Sequence, residues 1–351
     1  MISLRFFFFT LLAFLALVQI VGQAIISPID PFAPRQEQRR YRLDQLFNPH
    51  LISYKLNHIN SNPVYDVMAF GNSSILALSQ ENLNRYGRFF NVAVPGSSFG
   101  SSVSLALALA ERDRLAPVVV IMVENFNHFT QQVPMLPASL RWRDSAAQVF
   151  SLLVDENVPL REKLRFTARM VKLEGELFVR FFNPGVLQAH LAVIMADWLP
   201  LAAPGPRPGL LWDGYNPDGS GGGMTARTFG KIAIAPRHDQ PQVLPGVLVH
   251  DVKRLAVLAA RHRIIIYESP VEPASHAEYA AHPIPRVTQL REMFFAACTR
   301  HGLECHAAPL IGQPEEPNLW MDHYHPPAPV LGSWIDSLLK QPPRRTRHAV
   351  Q

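Results

Sequence analysis

Two short stretches carry the residue types of nucleophilic catalysis: Phe70-Gly71-Asn72-Ser73-Ser74 and Asp322-His323-Tyr324-His325. A serine hydroxyl becomes a useful nucleophile when an imidazole takes its proton. A carboxylate on the other imidazole nitrogen then fixes the tautomer. In Asp322-x-x-His325, a separation of three within a turn lets carboxylate and imidazole touch. The apolar run Val64–Phe70 enters the first stretch as a strand enters a nucleophile turn. Prolines and a short amphipathic run follow the second, as in a loop that leads into a last helix. The serine and the histidine meet only if the fold returns the end of the chain to its first strand.

Two further pieces could supply oxyanion donors. Gly96, in Val92-Ala93-Val94-Pro95-Gly96-Ser97-Ser98, follows an apolar run, and a glycine there leaves its N–H open to a ligand. Asn125, in Glu124-Asn125-Phe126-Asn127, follows another, with an amide donor and with Asn127 as its substitute. Each piece also has a plain structural reading. Ser and Asn cap helices, glycine ends strands, asparagines shape loops, and Asp-x-x-His is common on surfaces. His323-x-His325 also has the form of a metal pair, without an evident third ligand.

The elements that must position these residues follow a β–α rhythm. Val64–Phe70, Phe89–Val94, Val118–Val123, Arg263–Glu268 and Leu303–Ala308 read as buried strands. Ser74–Tyr86, Ser101–Arg112, Gly246–His262, Arg286–His301 and Pro329–Leu339 read as helices between or after them. Short apolar runs alternating with helical patterns predict a parallel sheet covered on both faces. In such a sheet ligands bind beyond the carboxyl ends of the strands, where all these pieces fall. The rhythm breaks between about 129 and 245, a length too great for a plain connection. Helical patterns at Arg161–Phe182 and Val186–Leu199 and the Pro/Gly-rich stretches Pro200–Gly209 and Asn216–Gly223 predict a largely helical insertion, a lid or a substrate wall.

The chain has 351 residues, 48% of them hydrophobic and 17% charged, enough for a sizeable core. Its 31 prolines predict long loops, and much of its net charge of +5 lies in Arg35–Arg42 and Arg344–Arg347. No interleaved aromatic and basic stripe accompanies these clusters, so no nucleic-acid partner is expected. Phe6–Val21 is almost wholly apolar after a single Arg5, and small residues follow at Gly22-Gln23-Ala24. Residues 1–24 therefore read as a signal peptide or a membrane anchor, and both forms leave the body outside. Residues 25–62 read as a linker with a short helix, 63–340 as the main domain, and 341–351 as a disordered tail. Cys298 and Cys305 either pair, as an exported protein allows, or stay as two buried thiols.

Taken in order, glycine-serine after strand one, glycine after strand two, asparagine after strand three and Asp-x-x-His before the last helix resemble the four blocks of the SGNH (GDSL) hydrolase superfamily. The resemblance covers roughly Val64–Leu339, interrupted by the insertion. It implies a flavodoxin-like three-layer α/β/α sandwich with a mainly parallel sheet. It implies Ser73 as nucleophile, with Ser74 as fallback, His325 as base and Asp322 as orienting carboxylate. The N–H groups of Ser73 and Gly96 and the side chain of Asn125 would form the oxyanion hole. Asn72 stands where the family usually has aspartate, and Val123-Glu124-Asn125-Phe126 stands where it often has Gly-x-Asn-Asp. With the N-terminal leader, these departures resemble a branch of anchored envelope proteins linked to polysaccharide O-acetylation. The implied activity is acyl transfer or acetyl-ester hydrolysis without a cofactor. The implied partners are an acyl donor, a glycan acceptor and a membrane acyl-transfer protein. Trp198, Trp212, Tyr215 and Trp320 are either a sugar-stacking surface or ordinary packing. A non-catalytic binding or assembly protein on the same fold is the competing expectation. A metal hydrolase using His323 and His325 is a third.

Overall fold

A computed structural model of the chain describes residues 4–26, 32, 48–128, 136, 138–181, 184–195, 215–221, 243–308, 320 and 324–342. Five short strands form one parallel sheet: β1 (Val67–Phe70), β2 (Phe89–Asn91), β3 (Val118–Val123), β4 (Arg263–Glu268) and β5 (Glu304–His306). Their order is β2-β1-β3-β4-β5, so the direction of winding reverses between β1 and β3. The central strands β1 and β3 and the middle of β4 are apolar because both faces are covered. Met68, Phe70, Val119, Ile121, Ile264 and Ile266 face one core, and Val67, Ala69, Val120, Met122, Ile265 and Tyr267 face the other.

The first core is closed by α2 (Asn48–Ser61), α4 (Phe99–Ala110), α8 (Pro245–Ala256) and α10 (Pro285–Arg300). The second is closed by α11 (Ala328–Lys340) and the segment between β1 and β2, which contains α3 (Gln80–Leu83). The chain is thus an α/β protein with helices on both faces of a parallel sheet. Cys298 at the end of α10 is bonded to Cys305 in β5, with Cα atoms 6.1 Å apart.

Three local findings differ from the sequence expectation. The short helix expected in the linker is present as α2 over residues 48–61, but it is part of the body: its Leu51, Ile52, Leu56 and Ile59 belong to the main core. The apolar side of this helix was hidden in the sequence by the buried Lys55 and Ser53 within it. The helix expected over Ser74–Tyr86 is instead a 3-10 turn at Ser73–Ile75, the short α3 and a second 3-10 turn at Asn84–Tyr86. Carbonyls that would propagate a helix are taken elsewhere. Asn91 Nδ2 donates to Ile75 O and Leu78 O, and Gly221 N donates to Leu76 O. Within the expected insertion one further helix, α5 (Ala138–Val154), precedes the two that the pattern showed, α6 (Leu160–Phe181) and α7 (Pro184–Met195). Its Pro/Gly-rich stretch Pro200–Gly209 and the tail beyond residue 342 lie outside the described residues.

Before the sheet comes α1 (Leu4–Ile26), long and apolar enough to cross a membrane. Between β4 and α10 lies α9 (Pro273–Ala281).

Candidate active site

Ser73 follows β1 and Asn125 follows β3, on either side of the point where the winding reverses. Open α/β sheets bind ligands at that point. Gly71 is required there for closeness: a Cβ on it would lie 2.9 Å from Ile75 Cγ2 and Met122 Cβ. Asn72 then caps the 3-10 turn, its Oδ1 accepting from Ser74 N at 2.9 Å. The capping role is thereby filled by Asn72, and the Ser73 hydroxyl does other work. Ser73 Oγ lies 2.7 Å from His325 Nε2, across 252 residues of chain. Both side chains are half-buried. Ser74, the alternative nucleophile, is buried.

His325 is brought to Ser73 by α11. Leu331, Ile335 and Leu338 pack with Ile75, Leu76, Leu78 and Leu83 of the Ser73 segment. Gly332 permits the approach, since a Cβ there would meet Asn82 at 3.0 Å. Tyr86 donates to Asp336 Oδ1 at 2.8 Å, and Arg85 pairs with the same carboxylate. On the other side of the histidine, Tyr324 packs with Val271 and Tyr279 and lies edge-on to His128, at 4.6 Å between rings. His128 is itself hydrogen-bonded to Tyr279 at 2.6 Å. Asp322 and His323 lie outside the described residues.

Gly96 sits in the loop after β2 with φ 71°, left-handed and easiest for glycine. The loops of Ser73 and Gly96 leave the sheet side by side, because Val92 N donates to Ala69 O and Val94 N to Gly71 O. Within the Ser73 turn the N–H groups of Ser74, Ile75 and Leu76 are committed. That pattern leaves the Ser73 N–H as the turn's available donor. Asn125 is placed differently. Its Nδ2 donates to Ser269 O at 3.1 Å, and its Oδ1 accepts from the backbone and side chain of Asn127. Among the described residues no hydrogen bond joins Asn125 or Asn127 to Ser73 or Gly96. One Asn125 N–H beyond the bond to Ser269 is what an oxyanion role would use.

Three residues that sequence reasoning left out hold this edge together. Asn91 ties the Ser73 segment to β2 by two donated bonds and accepts from Ala93 N at 3.0 Å. Lys55, fully buried, donates to Asn91 O, Ala93 O and Gly219 O at 2.6–2.9 Å, and its ammonium lies over the Tyr215 ring. Burial pushes its pKa well below that of an ordinary lysine, against the attraction of Asp218. Glu268, at the end of β4, accepts from Phe126 N, Ala308 N and Arg291 Nε, joining the loops after β3 and β5 to its own strand. A polar residue ending an apolar strand is the one sequence signal that Asn91 and Glu268 share.

Of the four aromatic residues considered for sugar stacking, Trp198 and Trp212 lie outside the described residues. Trp320 is fully buried and Tyr215 is partly buried beneath Lys55, so these two serve packing. Among the described residues no group of three or more His, Cys, Asp and Glu side chains is placed to hold a metal.

A serine–histidine–carboxylate contact lies elsewhere in the chain. Ser151 Oγ is 2.9 Å from His250 Nε2, and His250 Nδ1 is 3.1 Å from Asp155 Oδ2. Ser151 lies inside α5 and also bonds to Gln148 O of the same helix. Helical N–H groups there are spent on the helix, so no oxyanion donors adjoin the hydroxyl. The cluster clamps α5 to α8. At the Ser73 edge, by contrast, a serine and a histidine meet beyond strand ends, beside a glycine loop.

Comparison with protein-family models, with curated proteins and with solved structures finds no match to this chain.

Proposed function

We propose that the chain is an SGNH-type serine acyl-transfer enzyme of the cell envelope, an O-acetyltransferase or acetylesterase acting on a polysaccharide or glycan. The observation that carries this reading is the 2.7 Å contact between Ser73 Oγ and His325 Nε2 at the sheet's switch point. His325 takes the hydroxyl proton as Ser73 Oγ attacks the acyl carbonyl. The N–H groups of Ser73 and Gly96 receive the developing oxyanion, each good donor contributing about 3–4 kcal/mol. His325 returns the proton to the leaving alcohol, and an acyl-enzyme ester remains on Ser73. A sugar hydroxyl or water, deprotonated by His325, then takes the acyl group. Asp322 is assigned by its spacing to orient the imidazole. The apolar α1 supports a body held outside the cytoplasmic membrane, where an acyl donor, a glycan acceptor and a membrane acyl-transfer protein are its partners.

The test is labelling by a fluorophosphonate, together with acetyl release from an activated ester. Ser73→Ala is expected to abolish labelling, and His325→Ala to lower hydrolysis by about 10⁶-fold. Ser74→Ala is expected to leave both intact. Undiminished hydrolysis in both the Ser73 and the His325 variants sinks the assignment.

One observation favours a second reading, a binding or assembly protein on the same fold. One of the two Asn125 amide N–H groups is spent on Ser269 O, which leaves a single N–H for the third oxyanion contact. Failure of the folded protein to label would support that reading.

A further inference from the structure

The insertion presents an apolar surface that the acyl-transfer reading does not use. Helix α1 has 23 residues, about 35 Å of helix against a hydrocarbon core of about 30 Å. Most of its side chains point outward, but Leu15, Val18, Gln19 and Gly22 form one inward stripe in its second half. The element packed along α1 is α7. Its 12 residues contain no Asp, Glu, Lys or Arg, and at about 18 Å it is too short to span a bilayer. It therefore accompanies only part of α1.

Two residues before α7, the 22-residue α6 ends. Its inner side is fixed to the body. Phe166 packs on Leu152, Val158, Leu244 and Val247, and Glu162 Oε2 accepts from Gly246 N at 2.7 Å. Its outer side is apolar along its whole length: Leu160, Leu164, Val171 and Val179 are 61–71% exposed. Spacings of four and seven keep the first three on one stripe. Arg161, Arg165 and Lys172 run along one edge of it, Lys172 within 3.8 Å of Glu176 one turn on. In α5, which packs on α6, Phe150 and Val154 are 70% and 64% exposed.

We infer that α5, α6 and α7 form a membrane-docking face, α7 entering one leaflet beside a retained α1 and α6 lying in the headgroup boundary of an anionic bilayer. The occupant is read from three facts. The helix that carries the apolar face leads into α7, which packs on the helix able to cross the membrane. A basic row flanks it, as an anionic lipid surface requires. Its inner side is locked to the body, so the apolar stripe is held outward. The inference depends on α1 residing in the bilayer and is independent of the Ser73 chemistry.

The experiment uses the full chain reconstituted in vesicles of phosphatidylcholine with or without phosphatidylglycerol. The two native cysteines are bonded to each other. Single cysteines at Leu164→Cys and Val171→Cys can therefore carry a nitroxide label, with Val257→Cys on the exposed body as control. Labels on α6 are expected to be relaxed by membrane-dissolved oxygen and shielded from a water-soluble nickel complex, at a depth of about 5–10 Å. The Val257 label is expected to show the reverse. Replacing Arg161, Arg165 and Lys172 by Gln is expected to make the α6 labels shallower only in vesicles that contain phosphatidylglycerol. Three results would overturn the inference. The α6 labels could be as open to nickel as the Val257 label. They could be shielded from both relaxers, which would mean that a protein covers the face. Or the mature chain recovered from membranes could lack α1. Loss of Ser73 labelling alone would leave the inference standing.

Discussion

Ser73 occupies a helix-entry position, where serine ordinarily caps, yet Asn72 provides the cap and Ser73 reaches His325. That division explains why asparagine serves at a position where the resembled family usually has aspartate. Both side chains cap equally well, and the turn that carries Ser73 needs a neighbour that caps. Asn72→Asp is therefore expected to keep both thermal stability and fluorophosphonate labelling. Asn72→Ala is expected to cost about 1 kcal/mol in a denaturant melt and to slow labelling as the turn loosens. Equal labelling rates for Ala and wild type would show that the cap does not position the hydroxyl. Gly96→Ala tests the other side of the site. Its φ of 71° is unfavourable for alanine, and a strained loop would misaim the N–H. The expected result is slower acylation by a serine-directed ester with little change in its binding. Ser73 and Gly96 were legible in the sequence because each follows an apolar run, where chain order alone fixes the edge of the sheet, and His325 because Asp322-x-x-His325 stands before the prolines that open the last helix. The orientation of Asn125 was not legible, because it depends on Ser269, a residue 144 positions away.

At the scale of elements, the strands were readable and the segment after β1 was not. A parallel strand buried on both faces is a short apolar run, which stands out without context. The segment 74–86 has a helix former's composition, but Asn91 takes two of its carbonyls from another strand. Asn91→Leu would leave Leu78 O and Ala93 N without their partner, Ile75 O keeping the bond from Leu78 N, at an expected cost of about 2–4 kcal/mol. Urea unfolding would measure it, and labelling of Ser73 would fall further than stability alone requires. The α5–α8 clamp gives the pH dependence. Burial would raise the Asp155 carboxyl, but hydrogen bonds from His250, Lys253 and Asn157 outweigh it and hold it well below its ordinary value. A depressed carboxyl adds stability above its unfolded pKa of about 4, and that stability is lost as pH falls through the folded value. The wild type is thus expected to lose stability on acidification below about pH 4 more steeply than Asp155→Asn. Parallel melting curves for the two would refute the clamp.

At the scale of the molecule, the sheet separates the candidate site from the disulfide. Ser73 follows β1 and Cys305 lies in β5, three strand spacings or about 14 Å across the sheet. The bond joins residues seven apart, and closing so small a loop stabilises by about 2–3 kcal/mol. Such bonds persist in oxidising compartments, which agrees with the export suggested by α1. A Cys298→Ser, Cys305→Ser protein is therefore expected to melt about 5–10 °C lower. Its Ser73 labelling at 25 °C should stay within about twofold of wild type, because β3 and β4 hold β1 in place without the bond. The mechanism of the loss can also be checked. Reduction of the wild-type protein should reproduce the double variant's melting temperature, and it should have no effect on the variant. If labelling fell in step with melting temperature, the site would be coupled to the far edge through the whole sheet. β1, β3, β4 and β5 would then move as one unit rather than as a scaffold that isolates Ser73 from its surroundings.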